Sequence, residues 1–134
     1  MKQVVVGVYK IGSDQCQLVL REGTGGDFYS CPEKGSIPRI KVGADERQWD
    51  VVVGVLLHEA FEFVANRLQC RYDLTDDLGR DHASYLFVMR HPQFSDCCMK
   101  VAEFTSAALR DLAKAWRQWG KPPKKRIRKR GRVR

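Results

Sequence analysis

Hydrophobic and polar positions alternate through the first third of the chain and recur every three or four residues beyond it. From Lys2 to Tyr9, KQVVVGVY, β-branched residues dominate, and DQCQLVLRE sets Cys16, Leu18 and Leu20 against Gln15, Gln17 and Val19. Both patterns predict strands, with IGSD as the turn between them. GTGG at 23–26 separates the second strand from DFYSC, and after PEKGS the segment IPRIKV offers a fourth short strand. GTGG lacks the Lys-Ser/Thr and the helix start of a phosphate-cradling loop, so it is read as a hairpin turn.

The period then changes. Asp45 followed by Gln48 resembles a capping box, and the helix it would open can run from about Glu46 to Cys70, with Gly54 its one weak position. RYDLTDDLGRDHA follows as a polar loop, YLFVMR at 85–90 reads as a buried strand, and His91-Pro92 breaks it. Ser95 can cap a last helix through Trp119, on which Val101, Phe104, Ala108, Leu112, Ala115 and Trp119 form an apolar stripe. The fold class expected is α+β: a small, mainly antiparallel sheet packed against a long central helix and a C-terminal helix. Trp116 and Trp119 are read as core or interface anchors, and Tyr72 and Tyr85 as packing residues.

Composition narrows the class. At 134 residues and 43% apolar composition, the chain can build one hydrophobic core, so one domain over residues 1–120 is expected. No apolar run reaches the ~18 residues of a membrane span, and MKQVVVGVYKIG meets polar residues too early for a signal peptide. The five cysteines, Cys16, Cys31, Cys70, Cys97 and Cys98, form no Cys-x-x-Cys pair, and their odd count argues against a disulfide framework. Reduced thiols and a cytoplasmic location are therefore expected. Asp73, Asp76, Asp77 and Asp81 lack the ligand spacing of a calcium loop and read as solvated charges.

The net charge of +8 is unevenly spread. Residues 121–134, KPPKKRIRKRGRVR, hold nine Lys or Arg and no acid, which leaves the body 15 basic against 16 acidic side chains. Like charges repel, and only Ile127 and Val133 offer apolar surface, so a disordered basic tail is expected. Lys124, Lys125, Arg126, Arg128, Lys129, Arg130, Arg132 and Arg134 are candidate nucleic-acid contacts. Their binding would be salt-dependent and, with no aromatic residue to stack on bases, indifferent to sequence. The same run could serve as a nuclear localisation signal in a eukaryotic host, or only as a solubilising appendage.

VLLHEAFEFV at 55–64 carries the candidate chemistry. At about 100° per residue with His58 at zero, Gln69 falls near 20°, Glu62 near 40°, Asn66 near 80° and Glu59 near 100°. Val51 and Val55 occupy the same arc in the preceding turns, so the helix is expected to be buried all round in its first half and to open onto something polar from His58 onward. The arc could merely face water. It could also hold a metal, because side chains at 58 and 62 stand on successive turns, the geometry by which an i, i+4 pair chelates one ion.

A short strand, IPRIKV, followed by a long helix bearing LLHEAFE, resembles the zincin metalloproteases, whose strand-helix unit carries His-Glu-x-x-His. The match covers roughly residues 37–70, and Glu62 stands where the family has its second histidine. That resemblance implies zinc held by His58 with Glu59 as general base, and glutamate at 62 remains a competent ligand. A third ligand would come from His82, in the loop, or from His91, on the odd-numbered face shared by Tyr85, Phe87 and Met89. His91 could instead cap the last helix, and His82 could be an exposed loop residue. YLFVMRHPQFS after a His-Glu-x-x-Glu helix is also similar to small phage-encoded proteins that have no assigned activity. Two functions are thus expected to compete: a zincin-like metal-binding domain, hydrolytic or degenerate, with a tail that contacts nucleic acid, or a non-enzymatic nucleic-acid- or nucleoprotein-binding accessory protein.

Overall fold

The computed structural model describes residues 1–30, 34–73 and 85–121. Four strands, β1 (Gln3–Ile11), β2 (Asp14–Arg21), β3 (Gly26–Tyr29) and β4 (Arg39–Gly43), form one sheet in the order β1-β2-β4-β3. β1 pairs antiparallel with β2 and β3 antiparallel with β4, whereas β2 and β4 run parallel. Two helices, α1 (Trp49–Arg67) and α2 (His91–Gln118), follow, and between them β5 (Arg71–Asp73) pairs antiparallel with β6 (Tyr85–Phe87). The architecture is the expected α+β one, mainly antiparallel, with a long C-terminal helix.

Alternation decides which face of the sheet is covered. Cys16, Leu18 and Leu20 of β2 and Ile40 and Val42 of β4 are fully buried and share one core with Val52, Leu56, Ala60 and Phe63 of α1 and Phe104, Ala108 and Leu112 of α2. Both helices therefore lie on the same side. α2 packs chiefly on β1 and α1, with Tyr9 edge-on to Phe104, while α1 packs on β3 and β4, with Phe28 edge-on to Phe63.

Several local expectations are corrected. GTGG is not a hairpin turn, because β2 and β3 do not pair: β4 enters between them and the connection crosses its end. Gly43 N–H donates to Gly25 O at 2.7 Å and Asp45 N–H to Gly23 O at 3.1 Å, and a Cβ on Gly43 would stand 2.5 Å from Gly23 O. Asp45 and Gln48 form no capping box. α1 begins at Trp49 after Gln48, which makes no side-chain cap bond, while the Asp45 carboxylate accepts from Gly23 N–H and, at 3.2 Å, from Trp119 Nε1–H. The first half of α1 is not buried all round, since Val51 is 38% exposed and Gly54 is open.

Arg71–Asp73, expected as loop, is a strand because YLF is there to pair with it. The strand expected at 85–90 keeps only its first three residues. α2 then begins at His91 rather than at Ser95, because proline in a first helical turn loses no hydrogen bond and has φ already set. Gln93 Oε1 accepts from Arg90 N–H at 2.9 Å across that turn. Its far end is tied to the loop before α1: Trp116 Nε1–H donates to Glu46 O at 3.0 Å, and the Trp116 ring lies 5.5 Å from that of Trp49. No described helix is long and apolar enough to cross a membrane.

Candidate functional site

The middle turns of α1 carry the site, and the sheet decides what each ionisable group meets. Gly26 opens β3 directly beneath α1: a Cβ there would stand 2.7 Å from Val55 Cγ1 and 2.8 Å from Glu59 Cγ. Because Gly26 has no side chain, the strand comes against the helix and presses on Glu59, which is only 6% exposed. Burial accordingly raises the Glu59 carboxyl from its ordinary 4.5 to about 7. Neighbouring Glu62 and Asp27 push the same way, and His58 and Arg21 oppose them. A carboxyl poised near neutrality can both accept and release a proton under ordinary conditions.

His58 has a different setting. Its side chain is 64% exposed, and Nε2 lies 3.4 Å from Glu62 Oε1 and 4.0 Å from Glu59 Oε1. Glu62 itself is sheltered, at 13%. The imidazole stands on a ridge between two clefts. One, of about 540 Å³, is bounded by Gly25, Gly26 and Val55 with Glu59 on its wall. The other, of about 400 Å³, is bounded by Leu57, Phe61, Phe87 and Val101 with Glu62 on its wall. The arc expected to face one polar surface is thus divided, with Glu59 turned to the sheet, Glu62 to the second cleft, and His58, Asn66 and Gln69 exposed.

Of the other two imidazoles, His91 is exposed as the first residue of α2, and His82 lies outside the described residues. Among the described residues no group of three or more His, Cys, Asp and Glu side chains is placed to hold a metal ion. Cys16, Cys70 and Cys97 are buried and free. Burial raises the Cys16 and Cys97 thiols to about 12 and about 11, which leaves them protonated and unreactive. Cys31, Asp76, Asp77, Asp81 and the tail cations from Lys124 to Arg134 also lie outside the described residues.

Arg21 and Asp27 belong to the electrostatics of this site, and the sequence reading missed both. Arg21 Nε donates to Asp27 Oδ2 at 3.1 Å, and the Arg21 guanidinium also donates to Glu22 O and Thr24 O, which pins the crossing connection beside Glu59. Asp27 follows a glycine pair at the start of an apolar strand, but neither it nor Arg21 belongs to a spaced motif. They meet across the connection between β2 and β3, six residues apart in sequence.

No protein-family model, curated protein or solved structure matches this chain.

Proposed function

We propose that this chain is a zincin-like metal-binding domain, hydrolytic or descended from a hydrolase, whose basic tail contacts nucleic acid. The observation that supports the metal reading is the 3.4 Å between His58 Nε2 and Glu62 Oε1. A tetrahedral zinc ion with bonds of about 2.0–2.1 Å sets its donors about 3.3–3.4 Å apart, and imidazole with carboxylate is a suitable donor pair. Glu59 Oε1, 4.0 Å from the same nitrogen, sits beside that pair rather than on it, and its raised affinity for protons suits a general base. β4 leading into α1 supplies the strand-then-helix order of the resemblance. In this reading His82 or His91 completes the ligand set, and the ion would polarise a carbonyl or activate water for hydrolysis of a peptide or other amide.

Elemental analysis of full-length protein purified without a metal-affinity tag tests this reading. One equivalent of zinc is expected in the parent. It should be lost in His58→Ala and in one of His82→Ala and His91→Ala, and retained in Glu59→Gln. Less than a tenth of an equivalent in the parent ends the metal reading.

The segregated charge favours a second reading, a non-enzymatic accessory protein that binds nucleic acid or a nucleoprotein through residues 121–134. Here the His58–Glu62 pair is structural only. Duplex binding measured from low to moderate salt, with the chain intact and truncated after Gly120, tests the tail. Equal affinity for the two forms removes it as the binding element.

A further inference from the structure

The four-stranded sheet has a second face, and neither helix covers it. Both helices pack on the side of Leu18, Leu20, Ile40 and Val42, so the alternate residues of the strands point away from them. The register sets those residues in rows. One row runs Val8, Gln17, Arg39, Tyr29 across β1, β2, β4 and β3, and the row beside it runs Val5, Val19, Lys41, Asp27. Each crosses three strand spacings of about 4.8 Å, a length of about 14 Å. Lys10 and Gln15 form a third, shorter row on the other side of the first.

This face is open and cationic. Val5 and Val8 are exposed, and Tyr29 keeps 53% of its surface in water. Lys10, Arg39 and Lys41 make no ion pair among the described residues. Asp27, the only acid in these rows, is already engaged, accepting from Arg21 Nε at 3.1 Å. The Arg39 guanidinium lies over the Tyr29 ring, 5.3 Å from its centroid. An aromatic ring and a planar cation thus stand together at one end of a row, with an amide and an apolar side chain along the rest of it.

A face built only for water should carry polar side chains of both signs, and Val5 and Val8 would not be on it. A second copy of the same face would set Arg39 and Lys41 against other cations, which repel. An acidic peptide or an anionic lipid would use the cations but leaves the Tyr29 ring without a flat partner. A single polynucleotide strand uses every group: its phosphates take the cations, its unpaired bases stack on the ring and the guanidinium plane, and its base edges bond the amides of Gln15 and Gln17.

We infer that this open sheet face binds a single-stranded polynucleotide, with Lys10 and Lys41 on its phosphates and Tyr29, backed by Arg39, stacked on a base. The inference rests on neither the metal nor the basic tail, since every residue in it belongs to the sheet.

The test uses the full chain and strands of about 12 nucleotides: oligouridylate, oligothymidylate, and an abasic strand with the same phosphates. In the parent, at least one base-bearing strand should bind about tenfold tighter than the abasic one. Tyr29→Ala should remove most of that preference, and Tyr29→Phe should keep it. Residues 121–134 hold no aromatic side chain, so the tail cannot supply the preference. Between 50 and 200 mM salt, Lys10→Gln/Lys41→Gln should reduce the slope of log K against log salt by about 1.4, about 0.7 per lost phosphate contact, and Arg110→Gln/Lys114→Gln on α2 by less than half of that. Equal melting temperatures establish that the variants are folded. Equal affinity of the parent for base-bearing and abasic strands overturns the inference without any variant. An undiminished preference in Tyr29→Ala, or equal slopes in the two double variants, overturns it too. Tighter binding of polyglutamate that Lys10→Gln/Lys41→Gln abolishes would mark a surface for acidic proteins and overturn it as well.

Discussion

Glu59 Cγ lies 2.8 Å from the point where a Cβ on Gly26 would stand, so the first residue of β3 and the most buried carboxylate of α1 fit only because one of them has no side chain. The same Cβ would meet Val55 Cγ1 at 2.7 Å and Lys41 O at 2.9 Å, and the carbonyl belongs to the sheet and cannot move aside cheaply. Gly26→Ala is therefore expected to destabilise the fold by roughly 1–3 kcal/mol, the usual cost of overpacking. Urea unfolding reads this directly, and an unchanged midpoint would show that the strand does not press on the helix.

Burial of Glu59 also sets a pH dependence. Its folded-state affinity for a proton is raised from 4.5 to about 7, so between those values the native state holds a proton that the unfolded state has released. Stability should therefore fall as pH rises through that window, by at most about 3 kcal/mol at ~1.4 kcal/mol per unit, and then level off. Glu59→Gln should flatten the curve there and be the more stable protein above pH 7. A parent curve that instead rises from pH 4.5 to 7, with the variant parallel to it, would place the carboxylate in water.

α1 ends on a residue in the left-handed region. Gln69 has φ 56°, with Cys70 N–H donating to Ala65 O at 2.9 Å and Gln69 N–H to Asn66 O at 3.1 Å. These are the paired bonds of a Schellman ending, in which glycine is the preferred residue. Gln69→Gly should raise stability by about 0.5–1 kcal/mol, whereas glycine inside a helix lowers it by a similar amount. Thermal unfolding gives the sign, and a lowered melting temperature would refute the assignment.

Trp116 joins the end of α2 to the loop that leads into α1. Trp116→Phe keeps an aromatic ring against Trp49 but leaves Glu46 O without its donor, at a cost of about 0.5–1.5 kcal/mol. Hydrogen exchange should then quicken at residues 44–48 before it does elsewhere. Uniform protection across that loop would argue against the tie.

The four strands and both helices were legible because their signals are local: Cys16, Leu18 and Leu20 alternate, and Val101, Phe104, Ala108 and Leu112 recur at helical spacing. What sequence misread depended on partners distant along the chain. GTGG looks like any glycine-rich turn until β4 is known to enter between β2 and β3, and RYD becomes a strand only beside YLF. His91-Pro92 does follow the end of the strand, but α2 opens there and not at Ser95, because a proline that stops a strand can equally begin a helix. At the site, the wheel placed His58, Glu59 and Glu62 on one arc, yet a 100° spread was enough for the sheet to claim Glu59 and leave His58 largely in water. Helical spacing sets direction, and only tertiary neighbours set environment.

The most direct test of the metal account is calorimetric titration of zinc into the metal-free, untagged full chain, beside His58→Ala and Glu62→Gln. Saturable uptake of one equivalent, accompanied by proton release and a raised melting temperature, and abolished in His58→Ala and weakened in Glu62→Gln, is the result predicted. No saturable uptake by the parent, or the same affinity in His58→Ala, would contradict it and leave the 3.4 Å contact as an ordinary ion pair.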